Sequence, residues 1–253
     1  VLMIFPSFDS VKAIAPGYDI VPVYMEILSD VRTPISVLKA LKQVSSHTYL
    51  FESADNSNHW GRYSFLGYDP KIELFCKNHI MTIKDGTTRT FECSDPAVEI
   101  RNILSQYKSP RLEELPTFTG GFVGYFACEY IRYIEPTLDF QTPDDDSAMV
   151  NDVDLMLFDK VIAFDHYKNK IYLIANISTN DLERNYNKAE LELKTLADLV
   201  VNGKEADVPK GVLKTEFTSE FTKDEFEAVV KKTQHYIKEG DIFQCVVSVS
   251  YTH

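Results

Sequence analysis

The stretch YLFESADNSNHWGRYSFLG, residues 49–67, predicts two strands joined by a polar loop. The apolar start of the stretch runs directly into Glu52 and Ser53, and turn-forming residues around Trp60 follow. Residues 62–67 then alternate between two faces, which is the period of a half-buried strand. A carboxylate and two small hydroxyls therefore lie at the ends of adjacent apolar strands, where they need hydrogen-bonding partners.

Two interpretations of Glu52, Ser53 and Ser64 follow from this pattern. In the structural one, the strand end is capped by its own neighbours and Glu52 pairs with Arg62. In the functional one, a small amphoteric ligand places its ammonium on Glu52 and its other polar atoms on the two serines. Local chemistry alone favours the structural interpretation and leaves the functional one open.

Length and composition limit the class of protein. A chain of 253 residues can bury a sizeable core in one large domain or two. The net charge of −12 argues against a general nucleic-acid binder and, more weakly, against binding to an anionic membrane. No apolar run approaches the roughly 20 residues that a membrane span requires, and the first residues do not resemble a secretory signal. A cytoplasmic location is therefore expected.

The cysteines and histidines predict neither a metal site nor a disulfide framework. The four cysteines, at positions 76, 93, 128 and 245, include no C-x-x-C pair, and the six histidines form no metal-binding motif. In a chain this rich in core residues, the cysteines are predicted to be buried free thiols.

Alternation of apolar and polar residues predicts a series of further strands. They cover residues 21–28, 72–76, 79–84, 87–92, 118–126, 153–158, 161–166 and 171–177. Helices are predicted to begin at Thr33-Pro34, at 94–96, at Asn180 and at the capping box of residues 222–225. Residues 1–20 are predicted to be a lead-in segment.

Two segments of unusual composition are predicted to have structural roles. The glycine-rich segment FTGGFVGYF, residues 118–126, matches neither phosphate-loop motif. Its glycines at positions 120, 121 and 124 are predicted to lie at a bulge or where another backbone approaches closely. The acidic segment from Glu135 to Asp152, which includes Asp144, Asp145 and Asp146, is predicted to be a solvated loop and no metal site.

The end of the chain predicts the division into domains. A capped helix after Thr222 leads into one strand at 241–251, and these two elements alone cannot close a core. We therefore predict an α+β fold with largely antiparallel, sandwich-like sheets flanked by helices in residues 1–217. Residues 218–253 are predicted to be the first helix and strand of a second domain.

Seven segments taken together resemble one family, anthranilate synthase component I. They are VPVYMEI (21–27), TP (33–34), LFES (50–53), GRYSFLGYDP (61–70), GGFVGYF (120–126), RYIE (132–135) and GDIFQ (240–244). Each segment is weak alone, but all seven occur in the family's order and at similar intervals. The resemblance covers about residues 20–250, which correspond to the family's N-terminal half and to the start of its chorismate-binding half.

The resemblance implies an enzyme that converts chorismate to anthranilate and pyruvate with Mg2+ in tryptophan biosynthesis. It implies a glutamine amidotransferase subunit that supplies ammonia, and an oligomeric assembly. Chorismate and Mg2+ are held in the family's C-terminal half, so no catalytic residue or metal ligand is expected here, and this chain alone is expected to be inactive.

The family's N-terminal half carries a feedback site for L-tryptophan around the L-x-E-S motif. By this match Glu52 and Ser53 become inhibitor-site residues, together with Ser64 from the matching R-Y-S. Leu50, Tyr63 and Phe65 are expected to border the indole ring. The resemblance thus favours the functional interpretation of the stretch over the structural one.

Some residues depart from the family pattern, and two other functions remain open. Ser248 is followed by Val249, where the family commonly has glutamine and then arginine, and Cys128-Glu129 stands where tyrosine and aspartate are common. One alternative is aminodeoxychorismate synthase component I, although Val246-Val247 favours the anthranilate branch. The other is a stand-alone amino-acid-binding regulatory module.

Overall fold

The computed structural model describes residues 3–30, 32–53, 61–135, 137, 150–207, 209, 211–212, 218–248 and 251–252. The chain divides into two compact units, Val1–Asp207 and Val208–His253. The domain boundary predicted after residue 217 stays a prediction, because residues 213–217 lie outside the described part.

The first unit contains two five-stranded sheets, both antiparallel throughout. Its strands are β1 (Ile20–Leu28), β2 (Thr48–Phe51), β3 (Tyr63–Tyr68), β4 (Ile72–Lys77), β5 (Ile80–Lys84), β6 (Thr88–Glu92), β7 (Gly121–Phe126), β8 (Val153–Phe158), β9 (Lys160–Asp165) and β10 (Lys170–Ser178). Its helices are α1 (Phe8–Ile14), α2 (Pro34–Leu41), α3 (Pro96–Leu104), α4 (Ile131–Ile134) and α5 (Leu182–Asn202), with a 3-10 turn at Cys128–Tyr130. The first sheet has the order β1-β10-β9-β3-β2 and the second has the order β6-β5-β4-β8-β7.

The first sheet carries an apolar core on each of its faces. On one face, residues of β1, β3, β9 and β10 pack against helices α1, α2 and α5. Helix α5 buries Tyr186, Ala189, Leu193, Leu196, Ala197 and Val200, which recur at the helical period and so form one stripe. The opposite face is covered in part by Leu112, Leu115 and Phe118. The predicted α+β fold, with antiparallel sheets flanked by helices, is confirmed.

The second sheet has a separate core. Leu74, Cys76, Met81 and Leu155 pack there with Ile100 of helix α3. The chain passes from the first sheet to the second between β3 and β4, and it returns between β8 and β9. These two crossings are joined, because the backbone N–H of Lys71 donates to the carbonyl of Leu157 at 2.7 Å.

Several local predictions are confirmed, and two need correction. Thr33 caps α2 with Pro34 in its first turn, as predicted. The predicted lead-in segment contains helix α1. This helix has only 7 residues, too few for a helical period to be clear in the sequence. Cys76 and Cys93 are buried, but Cys128 and Cys245 are exposed. The prediction of four buried thiols was therefore wrong for two of them, because the sequence pattern around a cysteine does not show whether its thiol is exposed.

The second unit contains β11 (Thr218–Ser219), α6 (Lys223–Glu239) and β12 (Tyr251–Thr252). The capping box of Thr222 and Glu225 is confirmed. The strand predicted at 241–251 was wrong over residues 241–248, which form no strand, whereas Tyr251 pairs with Ser219. A lone extended segment without a neighbouring strand has no partner for its backbone groups.

The described residues include no helix that has both the length and the apolar composition needed to cross a bilayer.

Candidate functional site

The L-x-E-S motif lies where the edge strand β2 ends. Phe51 is opposite Phe65 in the β2–β3 pairing, so along the same register Glu52 is the residue that corresponds to Ser64. Glu52 and Ser53 are exposed, whereas Ser64 is only 1% exposed. The fold therefore brings the predicted residues to one end of the first sheet, with the two motif residues open to solvent and the third beneath the surface.

The hydroxyl of Ser64 already has a partner in the protein. Its Oγ lies 2.7 Å from Nε2 of His166, which is exposed and follows strand β9 directly. Ser64 pairs with Phe164 in the β3–β9 ladder, so His166 is two residues further along the neighbouring strand. One of the hydrogen-bonding positions of the Ser64 hydroxyl is therefore taken within the protein.

Arg62 forms a bidentate ion pair with the buried Asp165. Its Nε donates to Oδ1 at 3.0 Å and its Nη2 donates to Oδ2 at 2.7 Å. The backbone N–H groups of Tyr167 and Lys168 also donate to Asp165, which is 0% exposed. Burial alone would raise the pKa of Asp165, but these hydrogen bonds outweigh it and hold the pKa below its usual value.

The pairing of Glu52 with Arg62, part of the structural interpretation, is therefore wrong. The guanidinium is bound to Asp165 from the adjacent strand β9, which local sequence could not reveal. Within the part of the chain that the structure describes, no ion pair engages Glu52. Its exposed carboxylate at the end of β2 remains available to a cationic group.

The apolar residues near the motif lie on both faces of the sheet. Leu50 packs into the core beneath helices α2 and α5, whereas Phe65 packs into the opposite core and contacts Phe118 edge-to-face at 5.6 Å. Tyr63 lies 5.7 Å from Phe65, and its ring also faces the guanidinium of Arg62 at 4.8 Å. Leu50 and Phe65 therefore pack in different cores, and their placement beside an indole ring stays a prediction.

His166 and Asp165 were missed by sequence reasoning. Each lies about a hundred residues from its partner, and only the placement of β9 beside β3 brings them together. The predicted loop around Trp60, residues 54–60, lies outside the described part of the chain.

The described residues do not assemble a set of ligands for a metal ion. Nowhere in the described ranges do three or more histidine, cysteine, aspartate or glutamate side chains come close enough to hold one. The acidic segment with Asp144, Asp145 and Asp146 lies outside these ranges. The residues that the structure describes therefore do not fit a Mg2+ site.

Comparison with known families gives a match over most of the chain. Residues 47–253 match the family described as chorismate binding enzyme. The chain is 35% identical to anthranilate synthase component 1 of Acetivibrio thermocellus, over 97% of this chain and 51% of that protein. It is 37% identical to anthranilate synthase component 1 of Acinetobacter calcoaceticus, over 95% of this chain and 48% of that protein.

A solved structure is similar as well. The crystal structure of anthranilate synthase component I from Streptococcus pneumoniae TIGR4 matches with a TM-score of 0.54 and 26% sequence identity. The match covers 89% of this chain and 48% of that one. The chain thus spans about half the length of the curated relatives it matches.

Proposed function

Because the chain belongs to the family of chorismate-binding enzymes, we propose that it is the N-terminal part of an anthranilate synthase component I. The observation that supports this most is the 35% identity across nearly the whole chain to half of a protein of that name. The complete enzyme would be a lyase that converts chorismate and ammonia to anthranilate and pyruvate. A glutamine amidotransferase subunit, an oligomeric assembly and a cytoplasmic location belong to the same proposal.

We propose a regulatory role for this part of the enzyme. Mg2+ would supply electrophilic assistance when bound, but no acidic cluster among the described residues fits it, so its ligands and those of chorismate would lie outside them. What these residues offer is an exposed carboxylate and hydroxyl at the end of β2, in Glu52 and Ser53. We propose that this pair binds L-tryptophan as a feedback inhibitor.

The proposed contacts follow from the charge and exposure of the two residues. The carboxylate of Glu52, which no described cation engages, suits the ligand's ammonium in a charge-assisted hydrogen bond worth roughly 1.5–3 kcal/mol. Ser53 lies next to it and can complete the polar shell around the ligand's backbone atoms. Ser64 is 1% exposed and its hydroxyl is already bonded to His166, so we assign it a supporting role behind the two exposed residues.

Replacing Ser53 with phenylalanine is expected to abolish the binding of L-tryptophan, because the large ring would fill the space beside Glu52. Titration calorimetry on the chain before and after the substitution measures this directly. The fold should change little, since Ser53 is exposed. The matched control is Ser94→Phe, which changes another exposed serine just beyond the end of a strand and should leave the binding heat intact. Equal tryptophan heats in the wild type and in Ser53→Phe would contradict the assignment.

A further inference from the structure

A cleft with a cavity volume of about 120 Å³ lies where the chain crosses between the two sheets. Its apolar side is formed by Leu104, Tyr107 and Phe158, among others. Its polar side includes Lys71 and Asp159, which belong to the two crossing segments. The cleft is part of the first unit, and it shares no lining residue with the site at the end of β2.

The wall of this cleft is built from specific contacts. The side-chain amide of Asn176 donates to the carbonyl of Thr119 at 2.7 Å and to that of Asp159 at 3.1 Å, and so ties the start of β7 to the β8–β9 crossing. Gly120 lies beside Asn176 and has a φ of +157°. A Cβ at this position would lie 2.6 Å from Nδ2 of Asn176, so glycine is required here. These contacts hold the backbone on the polar side of the cleft in place. None of them involves the ammonium of Lys71 or the carboxylate of Asp159.

Neither of the two charged groups at the cleft forms an ion pair in the described part of the chain. Asp159 forms no ion pair within 4.0 Å there, and the neighbouring Lys160 is instead bound to Asp69 at 3.3 Å. Burial raises the pKa of Asp159, and the ammonium groups of Lys160 and Lys71 oppose that rise. The ammonium of Lys71 only faces the ring of Tyr107, at 5.2 Å from its centroid.

A carboxylate within a cleft and, at its exposed rim, an ammonium that forms no ion pair with a described residue are complementary to a ligand that carries both charges. The apolar side between them can accept a hydrocarbon or aromatic side chain. A second cleft shares Lys71, Asp159 and Asn176 and adds Lys160, Lys188 and Glu192. These added charges are already balanced, because Lys160 pairs with Asp69 at 3.3 Å and Lys188 pairs with Glu192 at 3.4 Å. A ligand without net charge therefore fits this surface better than an anion or a cation.

We propose that this cleft binds a free α-amino acid with an apolar side chain, whose ammonium meets Asp159 and whose carboxylate meets Lys71. The side chain lies against Tyr107 and Phe158. This site is distinct from the one at Glu52 and Ser53, and it does not depend on the function proposed above.

The test uses L-phenylalanine and 2-phenylethylamine, which lacks the carboxylate, in calorimetric titrations of the chain. The wild type should bind L-phenylalanine about tenfold more tightly than the amine, as expected for one charge-assisted contact. In Lys71→Met this preference should disappear, because the contact to the carboxylate is lost. In Asp159→Asn both ligands should bind about tenfold more weakly, because both use the ammonium.

Two controls distinguish this cleft from the site at the end of β2 and from a general effect of lost surface charge. Lys168→Met removes an exposed lysine that does not line the cleft and should change nothing. Ser53→Phe should also leave the binding of L-phenylalanine intact. Failure of the tryptophan site would therefore appear in the tryptophan titrations, and failure of the cleft proposal would appear in the L-phenylalanine titrations. The proposal is overturned if L-phenylalanine shows no saturable binding, or if Lys71→Met keeps the preference for it over the amine. Because Lys71 is exposed, Lys71→Met is expected to fold, and it tests the proposed carboxylate contact even if Asp159→Asn does not fold.

Discussion

Replacing Arg62 with alanine is expected to lower the free energy of unfolding by about 3 kcal/mol. The substitution removes the bidentate partner of the Asp165 carboxylate, which is 0% exposed in the folded protein. Broken buried ion pairs cost about 3–5 kcal/mol, and the lower end applies because Asp165 keeps two backbone N–H donors. Urea denaturation of the wild type and of Arg62→Ala at neutral pH measures the difference.

The matched control is an ion pair of similar length at the surface. Arg89 donates to Asp85 at 2.8 Å, but its side chain is 57% exposed. Arg89→Ala should therefore cost less than about 1 kcal/mol, because water replaces the lost partner. Equal losses in the two variants would mean that burial of Asp165 does not determine the strength of its pair.

The same pair predicts how stability depends on pH. The pKa of Asp165 is held below its usual value in the folded protein, so the folded state binds this proton less readily than the unfolded chain does. The stabilisation is therefore present above the unfolded pKa of about 3.9 and is lost as the pH falls through the folded value. The stability difference between wild type and Arg62→Ala should accordingly shrink below about pH 4 in urea titrations repeated at decreasing pH.

Structure was predicted best where it depends on residues that are close together in the sequence. Thr33 with Pro34 and the capping box at Thr222 located two helix starts, because a cap satisfies backbone groups within three residues of itself. The strands predicted at 79–84 and 87–92 correspond to β5 and β6, and Gly86 between them has a φ of +94° that other residues rarely adopt. These features require no knowledge of how the sheets are ordered.

The order of strands determines the partners at the candidate site, and local pattern does not contain that order. Strand β3 lies between β2 and β9, so Arg62 meets Asp165 and Ser64 meets His166. In the structural interpretation drawn from the sequence alone, Arg62 paired with Glu52 across the predicted loop. The strand predicted at 241–251 was wrong for a related reason, since a strand needs a partner as well as a suitable composition.

Replacing Gly124 with alanine is expected to cost about 4 kcal/mol or more. A Cβ at this position would lie 1.9 Å from the carbonyl oxygen of Asp154 and 2.9 Å from Cα of Leu155, and both are backbone atoms that cannot rotate away. Gly124 pairs with Leu155 in the β7–β8 ladder, so the two strands must separate to admit the methyl group. This contact also confirms the prediction that a glycine of the FTGGFVGYF segment lies where another backbone approaches.

Two effects contribute to this loss, and Gly86→Ala separates them. Gly86 also has a positive φ, but nothing lies within 4 Å of a Cβ built on it. Its substitution should therefore cost only the backbone strain, about 1–3 kcal/mol, while Gly124→Ala adds the overlap with Asp154. Thermal and urea denaturation of the two variants give both values. A loss in Gly124→Ala no larger than that in Gly86→Ala would show that β7 can shift away from β8, and that the close approach does not require glycine.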